Sequence, residues 1–236
     1  MRAILILQHD AQRPPALIGE YLRDARFELD VRRLDLGQPL PDSGELTGFA
    51  ALVTLGGALN VDDRGGHEFL ADERELLKAA LTREVPTLSV GLGAQQLVLA
   101  AGGDVYARAG LRLGWDPIEF SARDGFVGDI HPRPLVFSWR SHTCRLPDDA
   151  LLLADTEAEP QIFRCGDVAW GVQFHPEIDR RLLDGWLDGG AGLIERTYPG
   201  GLKALRKMSR RELLRSAMLC GQLMANFLAA GKVRER

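Results

Sequence analysis

The chain has 236 residues, of which 45% are hydrophobic and 26% are charged, and its formal net charge is −4. These proportions are ordinary for a soluble globular protein, and the length allows a sizeable core. The acidic balance gives no overall field that would attract nucleic acid or an anionic membrane, so we predict neither as a partner. No unbroken apolar run approaches the ~18 residues of a membrane span, and the first residues lack a signal-peptide pattern, which together indicate a cytoplasmic protein.

The cysteine content and the organisation of the chain indicate whether disulfides, metals or several domains are expected. Cys144, Cys165 and Cys220 are too few and too scattered for a disulfide framework or a zinc site. We predict neither a metal nor another cofactor, since no set of metal ligands occurs at fitting spacings. With no internal repeat and no clear linker, residues 1–236 are predicted to form a single domain. The sequence leaves its oligomeric state open.

The first hundred residues alternate between buried strands and helices. Helical periodicity is visible around 18–22, at 68–82 and from 95 to 101. This alternation predicts an α/β fold with a doubly wound, mostly parallel sheet. Strands are predicted at 3–7, 27–34, 49–55 and 86–90, and the runs at 3–7 and 49–55 are apolar almost throughout, which is typical of parallel strands covered on both faces.

The chain changes character near residue 104. Residues 104–175 carry short alternating segments, which we expect to be antiparallel or edge strands that complete the same sheet, with a hairpin turn at Gly166-Asp167. A C-terminal helix follows. Ser209 and Glu212 have the spacing of a capping box, which predicts that this helix begins at Ser209.

The pattern of residues 86–95 predicts a strand, a tight turn and the start of a helix, with Gly91 at the turn. Such a corner holds one side chain at the mouth of a sheet, beside the backbone N–H groups that open the helix, and is typical of a nucleophile elbow. Here the residue at the corner is glycine. The corner is therefore built for acyl-transfer chemistry but lacks the atom that would start it.

His175 ends an alternating strand, and Glu177 lies two residues further on. A histidine with a neighbouring carboxylate is the base of a catalytic triad together with the group that orients it. By itself the pattern is more often a structural histidine. In combination with the elbow, we interpret His175 and Glu177 as catalytic.

Gly56 and Gly57 follow the third predicted strand. Two glycines there allow backbone N–H groups to face a cleft, as one half of an oxyanion hole. The Leu92 N–H, directly after the elbow, would be the other half. A plain loop that requires positive φ is the alternative.

In this order the motifs resemble the class I glutamine amidotransferases, in particular the stand-alone branch similar to the amidotransferase domain of GMP synthase. The resemblance runs almost end to end and implies a flavodoxin-like sheet. The elbow and the block ending in Glu177 are its specific motifs. The supporting motifs are Leu7-Gln8-His9, Gly56-Gly57, Asp62-Asp63, Gly102-Gly103, Gly114-Trp115 and Trp139-Arg140-Ser141-His142.

What the resemblance implies is a glutamine-hydrolysing site. In that family the elbow cysteine attacks the side-chain amide of glutamine, forms a γ-glutamyl thioester and releases ammonia. Carried over by position, His175 is the base, Glu177 orients it, and Gly57 and Leu92 offer oxyanion N–H groups. The substrate pocket is formed by Gly56, Ala58, Gln95, Trp139, Arg140, Ser141 and His142.

The sequence departs from the family at the position that matters most for mechanism. The family's cysteine falls on Gly91, and Ser89 stands where the family usually has glycine. Glycine offers neither sulfur nor hydroxyl, so the two-step route through a thioester is predicted to be closed. We do not expect Ser89, about 6–7 Å back along the strand, to replace the nucleophile. Cys144 is interpreted as a small buried residue.

We therefore expect an enzyme of altered chemistry, in which His175, Glu177 and the oxyanion pocket act on an amide or γ-glutamyl-like substrate. Two alternatives stay open: a ligand-binding or regulatory pseudoenzyme, and an amidotransferase inactivated by an engineered cysteine-to-glycine change. If ammonia is produced, an acceptor or synthetase protein is expected as partner.

Overall fold

A computed structural model describes the chain over residues 2–61, 68–128 and 130–234. Its strands are β1 (Ile4–Gln8), β2 (Leu29–Arg33), β3 (Ala51–Thr54), β4 (Thr87–Val90), β5 (Asp104–Pro117), β6 (Glu119–Phe120), β7 (Leu135–Arg145), β8 (Leu151–Thr156), β9 (Glu159–Cys165) and β10 (Ala169–Val172). Its α-helices are α1 (Ala16–Asp24), α2 (Phe69–Thr82), α3 (Leu92–Ala100), α4 (Arg180–Gly189), α5 (Ala191–Thr197) and α6 (Gly201–Ala230).

The main sheet is mostly parallel. Within the described residues it has eight strands in the order β2-β1-β3-β4-β10-β9-β8-β6. The first five of these are parallel to one another, and β9, β8 and β6 continue the sheet in antiparallel fashion. The predicted doubly wound sheet with an antiparallel edge is therefore confirmed.

Strand β1 shows why the sheet is covered on both faces. Its apolar side chains point alternately to the two sides, as a period of two requires. Ile4 and Ile6 join a core cluster with residues of α1 and α6, whereas Leu5 and Leu7 join one with residues of α2 and α3. All four side chains are fully buried, and burial of each contributes about 1.5–3 kcal/mol.

The expectation that all of residues 104–175 complete the main sheet was wrong. Strands β5 and β7 form a separate antiparallel sheet, with Leu135 opposite Pro117 at one end. Trp115 and Phe137 from this pair pack with α4 and α5 in a third core cluster. The alternating pattern identified strands correctly, but it does not encode which strand each one pairs with.

The predicted hairpin turn is present between β9 and β10, where Gly166 has φ +60° and the two strands pair in antiparallel fashion. The predicted capping box was wrong. Helix α6 begins eight residues before Ser209, whose hydroxyl instead accepts a hydrogen bond from Trp115 Nε1 at 3.0 Å. Leu202 and Leu205 pack in the third core cluster, so the apolar face of the helix extends upstream of the box.

By length and composition alone, α6 would be long and apolar enough to cross a membrane, a test that core helices of soluble proteins also pass. Counting unbroken apolar runs overlooked it, because Arg215, Gln222 and Asn226 interrupt the apolar run in sequence. In the described structure α6 contacts α1, α4, α5, β5 and β7.

We expect Gly171→Ala to destabilise the fold, because a Cβ on β10 at this position would overlap the Phe163 ring on β9. Overpacking of this kind costs about 1–3 kcal/mol. Gly185→Ala is the matched control, since Gly185 lies inside α4 and a Cβ there meets nothing within 4 Å. It should stabilise by roughly 0.5–1 kcal/mol. Urea unfolding measures both, and an unchanged free energy of unfolding for Gly171→Ala would contradict the packing.

Candidate active site

The turn between β4 and α3 brings position 91 against His175. Gly91 has φ +55° and ψ −111°, a conformation that side chains rarely adopt. A Cβ at Gly91 would lie 3.2 Å from His175 Cε1 and 3.9 Å from His175 Nε2. Any side chain placed at this turn would therefore face the imidazole.

The approach of β3 to the start of α3 requires a second glycine. A Cβ at Gly93 would lie 2.7 Å from the carbonyl oxygen of Thr54, which ends β3. The Thr54 hydroxyl donates a 2.9 Å hydrogen bond to Ser89 Oγ, and both side chains are fully buried. Ser89 therefore supports the turn from within the sheet, and it does not line the cavity described below.

His175 and Glu177 form a buried pair. His175 Nδ1 lies 2.9 Å from Glu177 Oε1, and the two residues are 5% and 1% exposed. Because a carboxylate only accepts, we assign the proton to Nδ1, which leaves Nε2 as the acceptor on the side of Gly91. The Trp186 ring packs edge-on against the imidazole at 4.8 Å between centroids. Sequence reasoning missed Trp186, because on α4 it has the pattern of an ordinary core residue.

The Gly56–Gly57 loop follows β3 and packs between three elements. A Cβ at Gly57 would lie 2.6 Å from Leu92 Cδ2 and 3.0 Å from His9 Cβ. A Cβ at Gly56 would lie 3.0 Å from His175 Cε1. Close approach therefore constrains both positions, and neither glycine has a positive φ. Among the described residues, neither the Gly57 N–H nor the Leu92 N–H donates to another protein group.

A cavity of 260 Å³ opens at this junction. It brings together Gly57, Gly91, Leu92 and His175 with all but one of the residues predicted to shape a substrate pocket. The exception is Gly56, which does not line the cavity. Asp62 and Asp63, which the resemblance included, lie outside the described residues. The predicted pocket residues that line the cavity are Ala58, Gln95, Trp139, Arg140, Ser141 and His142.

Arg140 is part of the wall rather than a free cation. It is 7% exposed, pairs with Glu159 at 2.6 Å and donates to the His142 carbonyl oxygen at 2.8 Å. Burial lowers its pKa, and the attraction of Glu159 offsets only part of that effect. Glu159 also pairs with Arg108 at 2.7 Å, so one carboxylate is shared by two arginines and offsets only part of the Arg140 charge.

Arg13 was missed by sequence reasoning, yet it lines the cavity. Its guanidinium lies over the Trp186 ring at 5.2 Å and pairs with Asp10 at 3.0 Å. The same Asp10 oxygen accepts the Ala58 N–H at 3.0 Å. Arg13 precedes two prolines in an irregular segment, and no local pattern would have assigned it to a site.

A larger cavity, of 910 Å³, lies on the other side of Ala58 and Leu59. It contains neither Gly91 nor His175, so the smaller cavity is the candidate active site. In the parts of the chain that the structure describes, no three histidine, cysteine or acidic side chains come together as metal ligands.

The three cysteines are buried thiols. Burial raises the pKa of Cys144 to about 11 and that of Cys165 to about 12, and it also raises that of Cys220. Cys144 accepts a hydrogen bond from Gln173 Nε2 at 3.0 Å and does not line the smaller cavity. This placement agrees with its interpretation as a small buried residue.

The fold and the site can be compared with known proteins. A crystal structure of a glutamine amidotransferase from Thermotoga maritima matches with a TM-score of 0.86 and 25% identity, covering 96% of this chain and 98% of that one. A glutamine amidotransferase from Methylobacillus flagellatus matches with a TM-score of 0.86 and 20% identity, covering 98% and 95%. The second likeness is one of fold alone.

Sequence comparison shows the family. The family model for class I glutamine amidotransferases matches residues 16–185, and the chain belongs to that family. The glutamine-hydrolyzing GMP synthase of Marinobacter nauticus is 28% identical over 193 residues, covering 76% of this chain and 34% of that protein. That of Porphyromonas gingivalis is 30% identical over 205 residues, covering 80% and 36%. The chain thus spans about a third of the length of these two relatives.

We expect the folded protein to resist thiol alkylation. With a pKa of about 11, only roughly 0.1% of Cys144 is thiolate at pH 8, and burial excludes the reagent as well. Mass spectrometry after iodoacetamide treatment should find the native protein almost unlabelled, and three labels after denaturation in urea. Rapid single labelling of Cys144 in the folded protein would contradict this assignment.

Proposed function

We propose that the cavity binds an amide or γ-glutamyl-like substrate and hydrolyses it with a water molecule activated by His175. The observation that carries the proposal is the orientation of His175. Its Nδ1 is engaged by Glu177 at 2.9 Å, which leaves Nε2 unprotonated, 3.9 Å from the position that a Cβ at Gly91 would take. A histidine held in one tautomer, with its free nitrogen towards a cavity, is suited to act as a general base.

In the proposed reaction, His175 Nε2 removes a proton from water, and the resulting hydroxide oxygen forms a bond to the amide carbonyl carbon. The carbonyl oxygen takes up the negative charge and accepts hydrogen bonds from the N–H groups of Gly57 and Leu92. The C–N bond then breaks as the leaving nitrogen takes the proton from His175. The products are a carboxylic acid and ammonia or an amine.

The cavity's charge supports a γ-glutamyl-like substrate. Arg13 lines the cavity, and its side chain is 20% exposed. Both arginines are paired, Arg13 with Asp10 and Arg140 with Glu159, but the Arg140 side chain is only 5% exposed. An α-carboxylate at the far end of the substrate from the amide would find in Arg13 a partner for charge-assisted hydrogen bonds.

The second candidate is a binding protein without turnover, favoured by the glycine at position 91. In a triad, loss of the nucleophile costs about 10⁶ in kcat, although an intact oxyanion hole retains about 10³–10⁴ over the reaction in water. In this case the cavity would hold a glutamine-like ligand as a signal. For either candidate, the GMP synthase relatives suggest a synthetase or other acceptor protein as partner.

The test is hydrolysis of glutamine and of γ-glutamyl amides by the native chain, Gly91→Cys and His175→Ala. We expect slow hydrolysis by the native chain and its loss in His175→Ala. Gly91→Cys should raise kcat by at least about 100-fold, because it restores a covalent route. Product is measured by coupled detection of ammonia and by mass spectrometry of the acid.

Gly91→Ala is the matched control for the cysteine variant. It places the same Cβ against His175 and imposes the same strain at φ +55°, but adds no nucleophile. We expect it to abolish the native activity, because the Cβ occupies the space for the water molecule. Native hydrolysis that survives His175→Ala would contradict the water route. A silent native chain whose Gly91→Cys variant is active would favour the binding protein.

A further inference from the structure

A second buried histidine–carboxylate pair lies beneath the Gly56–Gly57 loop. His9 follows β1, Glu73 lies on α2, and both side chains are fully buried. His9 Nε2 is 2.7 Å from Glu73 Oε2, and His9 Nδ1 is 3.3 Å from the carbonyl oxygen of Gly56. The two residues are 64 positions apart in sequence, and the mechanism proposed above does not use them.

The two partners of the His9 ring decide its protonation. A carboxylate oxygen and a carbonyl oxygen are both acceptors, so each ring nitrogen needs a proton to make a favourable contact. A neutral imidazole has only one N–H and would set a lone pair against one of the two oxygens. The geometry therefore fits an imidazolium.

We propose that His9 is an imidazolium held by Glu73, and that this ion pair fixes the Gly56–Gly57 loop and places positive charge behind the oxyanion pocket. His9 is thus a positioning residue, which acts through the loop and does not touch the substrate. The inference rests on the proposed oxyanion role of the Gly57 N–H.

Contact between His9 and the loop gives the coupling a physical path. A Cβ at Gly57 would lie 3.0 Å from His9 Cβ and 3.4 Å from His9 Cγ, so the Gly57 backbone packs directly on the histidine. The hydrogen bond from Nδ1 to the Gly56 carbonyl fixes the peptide group that leads into Gly57. A change in the ring's charge or position is therefore expected to move the Gly57 N–H.

The groups around His9 favour its charged form. Burial by itself lowers the pKa of His9, but the charge and the hydrogen bond of Glu73, the Gly56 carbonyl and the charge of Asp10 together raise it above the ordinary value of 6.5. Asp35 also interacts with His9: its pKa is lowered mainly by the hydrogen bond from Arg33, and the charge of His9 adds to this effect. Arg13, paired with Asp10, and Arg33, paired with Asp35, are nearby cations. Acidic groups thus approach His9 from α2 and from the segments that follow β1 and β2.

The first experiment reads the charge directly in the native protein. Long-range ¹H–¹⁵N NMR distinguishes a ring with two protonated nitrogens from a neutral tautomer. We expect the His9 ring to keep two protonated nitrogens as the pH rises through 6.5, the ordinary pKa of histidine, and to show both of them still at pH 7. A single N–H at pH 7 would overturn the proposal, and this result requires no variant and no activity.

The second experiment measures the position of the Gly56–Gly57 loop through the chemical shift and the hydrogen exchange of the Gly57 amide. Glu73→Gln keeps a hydrogen-bonding group but removes the charge, and it should shift the Gly57 resonance and speed its exchange. Glu73→Asp keeps the charge and should restore part of the native behaviour, and it replaces Glu73→Gln if that variant does not fold. Glu75→Gln, the same change on the exposed side of α2, is the control. An unmoved Gly57 amide in the folded Glu73 variants would overturn the positioning role.

The third experiment links the pair to the reaction. In the Gly91→Cys background, Glu73→Gln is expected to lower kcat for glutamine hydrolysis about 10- to 100-fold with little change in KM, because misplaced oxyanion donors affect the transition state more than the bound substrate. Equal losses with Glu73→Gln and Glu75→Gln would overturn the positioning role. If neither the native chain nor Gly91→Cys hydrolyses glutamine or a γ-glutamyl amide, the proposed function fails, and the two NMR experiments still decide the state and role of His9.

Discussion

Close backbone approach at the carboxyl ends of β3 and β4 is the constraint on which the candidate site depends. Gly93 lies against the Thr54 carbonyl, Gly57 against Leu92 and His9, and Gly91 against His175. A Cβ would overlap its neighbours at Gly93 and at Gly57, and at Gly91 it would be in tight contact with His175. Glycine, which has no side chain, therefore allows these backbone segments to pack directly against their neighbours. It lets a strand end, a loop and a helix start converge on one small cavity with their N–H groups still available.

Two histidine–carboxylate pairs flank this junction, and their burial has a physical cost. A charged or polar group away from water is tolerated only when it is well partnered. His175 is held by Glu177 on one side of Gly56, and His9 is held by Glu73 on the other. The second oxygens of both carboxylates have no partner among the described residues. One buried carboxylate oxygen of each pair is thus left without a hydrogen bond in the described parts of the chain, and both pairs lie beside the Gly56–Gly57 loop.

The parts that sequence predicted well are those in which a local pattern has one structural solution. The apolar run of β1 must be buried on both faces, and the strand–turn–glycine pattern at Gly91 has few alternatives. Sequence reasoning failed where a local pattern met a distant partner. Ser209 has the spacing of a cap, but its hydroxyl is bound by Trp115, 94 residues away. Nothing local to either residue pairs His9 with Glu73, and the alternation in β5 and β7 could not specify that they leave the main sheet.

The conformation of Gly91 also bears on how this site evolves. A residue other than glycine at φ +55° carries backbone strain of about 1–3 kcal/mol, a large fraction of the margin by which a domain stays folded. With glycine at the turn, this chain is free of that strain. Sequence drift elsewhere in the core is correspondingly better tolerated, because destabilising substitutions meet a wider threshold. Introducing a side chain at this turn takes a single residue change, and it becomes harder with each destabilising substitution elsewhere in the core.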